Sequence, residues 1–224
     1  MSTLSTSSSS KPLWARYKPA IHFRNAAEEF DACKLGFWLF LTTEVLLFGG
    51  IFCAYFIFRT LYPDAWKEGS ALLDWRFGGG NTVVLLISSY TMAMSIYCIQ
   101  KDQQFRAQLN LIATLLCGFL FLYIKLAYEY IPKWSVGKRP GSMFDYPFAE
   151  SAHLPLWWSV YYCGTAIHAA HVIIGMILIA RVLWRTTKRH YGPGHYTMVE
   201  ITGLYWHLVD LIWIFLFPLL YLIH

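Results

Sequence analysis

Charged residues are scarce in this sequence. Only 14% of its 224 residues are Asp, Glu, Lys or Arg, while 57% are hydrophobic and 18% aromatic. Soluble domains average about a quarter charged residues, so this composition indicates a membrane protein. The net charge of +5 does not indicate a nucleic-acid partner, because the basic residues lie in short loops between apolar segments, as is typical of membrane proteins.

The signatures of several enzyme and metal-site classes are also missing. The sequence has no P-loop, Rossmann fingerprint or Ser-His-Asp arrangement, so the chain alone does not look like a catalyst. It has no C-x-x-C or Cys/His cluster either, and we expect neither disulfides nor a cysteine-based metal site from its five cysteines, Cys33, Cys53, Cys98, Cys117 and Cys163. The amino-terminal stretch MSTLSTSSSSKP lacks the apolar core of a cleaved signal peptide, so the first transmembrane helix is expected to direct insertion.

Five apolar segments are long enough to cross a bilayer, which needs about 20 residues per helix. We therefore predict an all-α, polytopic membrane helix bundle over residues 34–224, with spans at 35–58, 81–99, 109–128, 156–183 and 203–223. A polar tail, residues 1–33, precedes them; its Ser-rich start is expected to be disordered, and the rest either lies on the membrane surface or is solvated. The glycines of FGGGN (77–81) predict a turn before the second span. Residues 131–155 are expected to form the longest connection between spans.

The distribution of basic residues predicts the orientation of the bundle. Five spans place the termini on opposite sides, and eleven of the 18 Lys and Arg residues fall on the amino-terminal side. Cytoplasmic loops carry the excess of Lys and Arg. The amino terminus is therefore expected in the cytoplasm and the carboxyl terminus outside.

Ionisable side chains lie in or at the ends of four of the five spans: Glu44, Glu129, His168, His171, His207 and Asp210. Such groups are expensive in hydrocarbon unless protein or water satisfies them, so we expect them to face the bundle interior. Gly164, His168, His171 and Gly175 recur at steps of four, three and four, which makes one helix face small and polar.

Three hypotheses explain these residues. Histidines with nearby carboxylates can bind a metal or haem, although no Glu-x-x-His motif of the di-iron type is present. Buried carboxylates and histidines can also hold or conduct protons. The third hypothesis is a structural hydrogen-bonded network, since interhelical hydrogen bonds contribute roughly 0.6–2 kcal/mol each. The pattern favours the structural network first and proton handling second, and for Glu44 the two are close.

Four of the spans resemble helices of a known family. The first contains GFWLFLTTEVLLFGGIFCAYF, similar to the helix of haem-copper oxidase subunit III that carries its buried glutamate, and the second NTVVLLISSYTMAMS, similar to that subunit's next helix. The fourth contains YYCGTAIHAAHVIIGMILI, similar to its T-G-x-H-x-x-H-V-x-x-G helix, and the fifth GLYWHLVDLIWIFLFPLLYL, similar to its Y-W-H-F-V-D helix. The motifs occur in the family's order over most of residues 35–223. The chain is therefore identified as a member of the family, as the third subunit of a cytochrome c oxidase.

The resemblance implies a non-catalytic subunit of an enzyme complex. Subunit III of the family binds no haem or copper, which belong to partner subunits; it packs directly on subunit I, binds phospholipid and supports proton uptake. Subunit II and further respiratory-complex subunits are its other expected partners. Glu44 occupies the position of the family's carbodiimide-reactive glutamate, and Glu129, His168, His171, His207 and Asp210 its other characteristic polar positions. The long form of the family has two further helices at its start, which form one arm of a lipid-filled cleft, so that arm is expected to be absent or supplied by another subunit. The short form favours a prokaryotic plasma (inner) membrane.

Three alternatives remain open at the level of sequence. The first keeps the fold and changes the complex, to a quinol oxidase or to the related accessory subunit of nitric oxide reductase. The second is an independent ion transporter or channel that uses the same histidines and carboxylates. The third is a metalloenzyme.

Overall fold

The computed structural model describes residues 12–222, and in this part of the chain five helical segments are long and apolar enough to span a membrane. The predicted all-α, five-span architecture is confirmed. The helices are α1 (Ala26–Leu61), α2 (Pro63–Ala71), α3 (Trp75–Gln100), α4 (Gln104–Ile124), α5 (Ile131–Ser135), α6 (Leu154–Thr187) and α7 (Thr197–Tyr221). A π-helical segment, Lys125–Tyr130, joins α4 to α5 and makes the third span continuous. The last predicted residue of the fifth span, Ile223, lies outside the described residues.

Helix α1 begins nine residues before the predicted start of the first span. Asn25 caps it by accepting a hydrogen bond from the Glu28 backbone N–H at 2.8 Å, and the Glu28 carboxylate accepts the Arg24 N–H at 2.9 Å. These reciprocal bonds satisfy free backbone donors at the start of the helix. With 36 residues and 1.5 Å per residue, α1 is about 54 Å long, so its charged first turns extend beyond a hydrocarbon core of about 30 Å. Helix α1 thus begins inside the predicted tail, residues 1–33. The division of the chain into a tail and a membrane domain at residue 33 stays a prediction.

The glycines of FGGGN do not form a turn, so that prediction is wrong. Helix α3 already begins at Trp75, because the Asp74 side chain accepts the Arg76 N–H at 2.9 Å and so caps the helix. Gly78 lies in its first turns, where a β-carbon would come within 2.7 Å of the Phe217 ring. The absence of a side chain at Gly78 therefore allows α3 and α7 to approach closely.

The third span is longer than predicted. It runs helically from Gln104 to Ser135, so the first five residues of the predicted connection 131–155 belong to helix α5. The predicted loop between the first two spans likewise contains helix α2.

Helix α7 lies at the centre of the bundle. Helices α3 and α6 pack closely against it, α4 packs on α3 and α6, and α1 contacts α6 and α7 from outside. Twelve of the 25 residues of α7 are buried, whereas α1 buries only Leu41, Phe48 and Tyr55. The core therefore sits among α3, α4, α6 and α7.

The segment before α1 packs on the loop between α6 and α7, which neither expectation for the tail anticipated. The Trp14 N–H donates to the Arg189 carbonyl at 3.3 Å, and the Tyr17 ring stacks on His195 at 3.6 Å between centroids. The Tyr17 hydroxyl donates to the Glu29 carboxylate at 2.7 Å. Partial burial lowers the pKa of His195, while burial and the neighbouring Glu29 raise the pKa of Tyr17 to about 12. The predicted disordered start, residues 1–11, lies outside the described residues.

Candidate functional site: buried polar clusters

The six predicted ionisable residues do not come together in a single site. Five of them belong to three separate groups of polar residues, which we name the Glu44–His171 bridge, the α3–α7 cluster and the Glu129 cluster. The α3–α7 cluster comprises Ser88, Ser89, Trp206, His207 and Asp210; the Glu129 cluster comprises Lys125, Glu129, Lys133, Tyr161 and Tyr221. The sixth residue, His168, lies between them on α6.

The Glu44–His171 bridge joins α1 to α6. His171 Nε2 lies 2.8 Å from Glu44 Oε2, and His171 Nδ1 lies 2.8 Å from the carbonyl oxygen of Ile167, one helical turn earlier. The Phe48 ring meets the imidazole edge-on at 5.2 Å. The side chains of Glu44 and His171 are only 15% and 14% exposed. This pair is therefore a mostly buried polar link between two helices that share few other contacts.

The Glu129 cluster gathers donors from three parts of the chain around one carboxylate oxygen. Glu129 Oε2 accepts from Lys125 Nζ at 2.5 Å, from the Tyr221 hydroxyl at 2.5 Å and from the Tyr161 hydroxyl at 2.8 Å. Lys133 Nζ lies 3.6 Å away. Lys125 and Glu129 are 3% and 2% exposed, so this ion pair, with its partners four residues apart, is buried within the bundle.

Lys125 makes this cluster dense. Its ammonium group also donates to the Tyr221 hydroxyl at 2.6 Å and lies 4.8 Å from the centre of the Trp213 ring. Cation–π contacts of this kind strengthen when desolvated. Because Tyr221 and Trp213 belong to α7, the cluster ties the third span to the central helix.

Along α7, the α3–α7 cluster lies before Trp213, whereas the Glu129 cluster lies after it. Ser89 Oγ lies 2.6 Å from His207 Nδ1, and the Trp206 indole N–H donates to Ser88 Oγ at 3.0 Å. Asp210 is 3% exposed and faces the two serines; among the described residues its carboxylate has no well-formed hydrogen bond. These contacts join α3 to α7 near the depth of Asp210.

His168 is fully buried in an aromatic environment. Its ring stacks on Trp213 at 5.2 Å and meets Phe121 edge-on at 5.6 Å. Neither ring nitrogen has a hydrogen-bond partner among the described residues. The predicted inward face of α6 is confirmed for His168 and its flanking glycines Gly164 and Gly175, which are all buried.

No three His, Cys, Asp or Glu side chains of the described residues come together as a metal site would require. Each of the three clusters instead places polar groups of different helices in contact. In chemical terms they can hold helices together and retain protons.

Comparison with known proteins assigns the family. The model of the family "Cytochrome c oxidase subunit III" matches residues 21–224, which is most of the chain. The chain belongs to the cytochrome c oxidase subunit III family. The resemblance carried by the sequence motifs is thereby confirmed. As subunit III proteins, members of the family are parts of haem-copper oxidase complexes, which are oxidoreductases of respiratory membranes.

Relatives of this subunit III carry two different names. A cytochrome c oxidase subunit 3 of Synechocystis sp. is 33% identical over 199 residues, covering 86% of this chain and 76% of the relative. A cytochrome c oxidase subunit 3 of Thermostichus vulcanus is 32% identical over 205 residues, covering 91% and 94%. A probable quinol oxidase subunit 3 of Staphylococcus haemolyticus is 32% identical over 190 residues, covering 85% and 88%. The family is therefore shown, while both kinds of electron donor occur among the names of its relatives.

Sequence reasoning missed several members of the clusters of this subunit III. Lys133 continues the spacing of four that relates Lys125 to Glu129, and that spacing could have flagged it. Tyr221 and Trp206 lie in an apolar span, where aromatic side chains usually pack against neighbours or anchor the helix at the membrane interface. Both are fully buried and also donate hydrogen bonds to polar groups. Tyr161 gave no signal, because a tyrosine in an apolar helix does not reveal which carboxylate its hydroxyl will meet.

Proposed function

We propose that this chain is the non-catalytic third subunit of a proton-pumping cytochrome c oxidase in aerobic respiration. The single observation that carries the proposal is the family match over residues 21–224. The names of the relatives from Synechocystis and Thermostichus vulcanus support cytochrome c as the electron donor. In this role the chain carries no cofactor of its own, and haem and copper belong to the partner subunits I and II.

The outer surface of α1 supports a packing role on subunit I and on lipid. Large apolar side chains such as Trp38 and Leu46 are 52% and 71% exposed, and within a membrane such surfaces contact lipid or another protein. A groove of about 410 Å³ between α1 and α6 is lined almost wholly by apolar or small residues, among them Gly50, Ala54 and Val160. We propose that an acyl chain of a bound phospholipid occupies this groove.

The buried ionisable residues support a role in proton uptake by the complex. The Glu44–His171 bridge couples a carboxylate and an imidazole 2.8 Å apart within a membrane span, and both groups exchange protons readily. Glu129, His168, His207 and Asp210 serve in this proposal as structural polar groups that fix how the helices pack.

The membrane and the orientation follow from the same proposal. Five apolar helices support a multi-pass protein, and the excess of basic residues before α1 and in the loops on that side supports a cytoplasmic amino terminus. The proposed location is the inner membrane of a prokaryote.

A second candidate keeps the subunit and changes the donor. The relative from Staphylococcus haemolyticus, named a probable quinol oxidase subunit 3, is as similar to this chain as the relative from Thermostichus vulcanus. The partner subunits distinguish the two candidates, because a cytochrome c oxidase has a dicopper centre in its subunit II.

Affinity purification of this chain in mild detergent tests the proposal. Haem spectra and identification of the co-purifying chains should reveal a haem-copper subunit I together with a dicopper subunit II. Recovery of subunit I without a dicopper domain would favour the quinol oxidase. A folded chain that purifies alone and without haem would overturn both candidates, and ion flux in liposomes would then test the transporter.

A further inference from the structure

The tautomer of His171 follows from its contact with the backbone. His171 Nδ1 lies 2.8 Å from the carbonyl oxygen of Ile167. A carbonyl oxygen only accepts hydrogen bonds, so Nδ1 must carry a proton and donate it. In a neutral imidazole one ring nitrogen is a donor and the other an acceptor. When neutral, His171 therefore presents Nε2 to its surroundings as an acceptor.

The contact with Glu44 then requires another proton. His171 Nε2 lies 2.8 Å from Glu44 Oε2. An ionised carboxylate is also an acceptor only. A neutral His171 beside an ionised Glu44 would thus place two acceptors at hydrogen-bond distance with nothing between them, and the contact would be repulsive.

We propose that Glu44 and His171 form a shared one-proton site, in which a single proton lies between Glu44 Oε2 and His171 Nε2. The proton is bound to the carboxyl group beside a neutral imidazole, or to the imidazole beside a carboxylate. Transfer between Oε2 and Nε2 interconverts the two forms without changing the total charge, which is zero in both. This inference goes beyond the proposed function, because it depends neither on the electron donor nor on proton pumping.

The surroundings of the pair explain why a proton serves as the counter-charge. Within the described chain, Tyr205 of α7 interacts electrostatically with Glu44, and His168 of α6 with His171. No lysine or arginine of the described residues forms an ion pair with Glu44. The Glu129 carboxylate differs, since Lys125 and Lys133 lie 2.5 and 3.6 Å from it. An isolated charge is costly at this depth. Glu129 is neutralised by lysines, whereas Glu44 is neutralised by the proton that it shares with His171.

Loss of the shared proton has a structural consequence. It would leave the two acceptors facing each other, so the bridge between α1 and α6 would open. Since α1 buries only three residues, this bridge is a substantial part of what holds α1 to the bundle. The occupancy of the proton site therefore controls how firmly α1 is attached.

Infrared and NMR spectroscopy of the purified oxidase complex test the proposal directly. Glutamate labelled with ¹³C at the carboxyl group and histidine labelled with ¹⁵N in the ring report the two partners, and the variants Glu44→Gln and His171→Gln assign their signals by difference. At neutral pH we expect His171 Nδ1 to be protonated and one further proton on the pair, seen either as a protonated Glu44 carboxyl or as a His171 imidazolium. An ionised Glu44 beside a neutral His171, or a protonated Glu44 beside an imidazolium, would overturn the proposal.

Hydrogen exchange of α1 gives a second readout that does not need assigned spectra. In the wild type, exchange corrected for its intrinsic pH dependence should rise once alkaline pH removes the shared proton. Glu44→Gln should abolish this rise, because the new amide donates to Nε2 at every pH. His207→Gln is the matched control: His207 contacts Ser89 and, among the described residues, forms no ion pair with a carboxylate, so this variant should keep the wild-type response. An equal alkaline rise in Glu44→Gln and wild type would contradict the shared proton.

Discussion

Helices α1 and α7 are both long and apolar, yet they are attached to the bundle in different ways. Helix α7 buries twelve of 25 residues, including the large rings of Trp206, Trp213 and Tyr221, whereas α1 buries three of 36. Mean hydropathy does not separate them, since both helices are apolar enough to span a membrane. In a membrane the lipid is as apolar as the core, so hydropathy shows that a helix spans and does not show what it packs against.

The difference shows that α1 depends on a few polar contacts. Lys34 Nζ lies 2.6 Å from Glu200 near its start, Glu44 meets His171 in its middle, and the Tyr55 hydroxyl donates to the Leu219 carbonyl towards its end. These contacts are spread along the helix and fix the position of α1 relative to α6 and α7. Its remaining surface is free for lipid or for another subunit.

The largest effect is expected from truncating a buried ring of α7. Trp206→Ala should lower the free energy of unfolding by about 3–5 kcal/mol, because it leaves a cavity beside Gly175 and removes the donor to Ser88. The matched variant on α1 is Trp38→Ala, which should change it by less than about 0.5 kcal/mol since the ring is 52% exposed. Denaturant unfolding of the purified subunit in detergent measures both. Equal losses would refute the contrast between the two helices.

A smaller loss of stability is expected from neutralising Glu129, the carboxylate of the third span that accepts a hydrogen bond from Tyr221 of α7. Glu129→Gln should lower the free energy of unfolding by about 2–3 kcal/mol, because three charge-assisted hydrogen bonds weaken and two buried lysines lose their counter-charge. Glu150→Gln, an exposed loop residue whose side chain faces solvent, is the control and should have little effect. A neutral result for Glu129→Gln in the same unfolding assay would show that the lysines do not need this carboxylate.

Removing a single hydroxyl tests the attachment of α1 at its far end. Tyr55→Phe deletes the hydrogen bond to the Leu219 carbonyl and should reduce stability by about 1 kcal/mol. Tyr90→Phe removes a hydroxyl from a side chain that is 65% exposed and serves as the control. Hydrogen exchange of the last turns of α1 should rise in Tyr55→Phe only; unchanged exchange would mean that packing alone holds this end.

The ion pair near the start of α1 should matter less. Lys34 and Glu200 have side chains that are 38% and 19% exposed, so a double-mutant cycle of Lys34→Gln and Glu200→Gln should give a coupling of about 0.2–1 kcal/mol. The coupling should shrink as salt is added, because exposed charges are screened. A coupling that is large and independent of salt would show that the pair is buried in the complete complex.

The smallest effect concerns the contact of the amino-terminal segment with the loop between α6 and α7. Burial holds the pKa of His195 below its usual 6.5, while Glu29 acts in the opposite direction. The unfolded chain therefore binds a proton more readily than the folded one, and stability should fall as pH drops below about 6.5. Protease cleavage near Tyr17 should increase on acidification in the wild type. His195→Gln should lose this pH dependence, and a wild-type response in that variant would assign the effect to another group.

Much of the fold could be predicted from the sequence, because spans of about 20 apolar residues and interruptions such as QKDQQFR are strong signals in a membrane protein. The ends of the helices were less predictable. Asn25 and Asp74 start their helices through side-chain caps within polar stretches that had been interpreted as tail and loop. The three consecutive glycines suggested a turn, but Asp74 caps a helix just before them and Gly78 packs closely against Phe217.

The candidate site was predictable in kind and not in arrangement. Buried Glu44 and His171 stood out because ionisable residues are rare in apolar segments. Which residues meet depends on the relative rotation and depth of the helices, and periodicity within one helix carries no information on that. The partnership of Glu129 with Tyr161 and Tyr221 therefore became visible only in three dimensions.

The π-helical segment Lys125–Tyr130 shifts the phase of the third span. A π-helical turn contains about one residue more than an α-helical turn. The residues after it therefore point in the directions they would have in a regular α-helix that was one residue shorter. Helix α4 can thus direct Thr114 and Phe121 into the core while α5 still turns Lys133 towards Glu129. Deletion of one residue in this segment would let it become a regular α-helix, and its second half would still turn the same side to the bundle. The segment is therefore a place where the helix accommodates an extra residue without changing which side it turns to its neighbours.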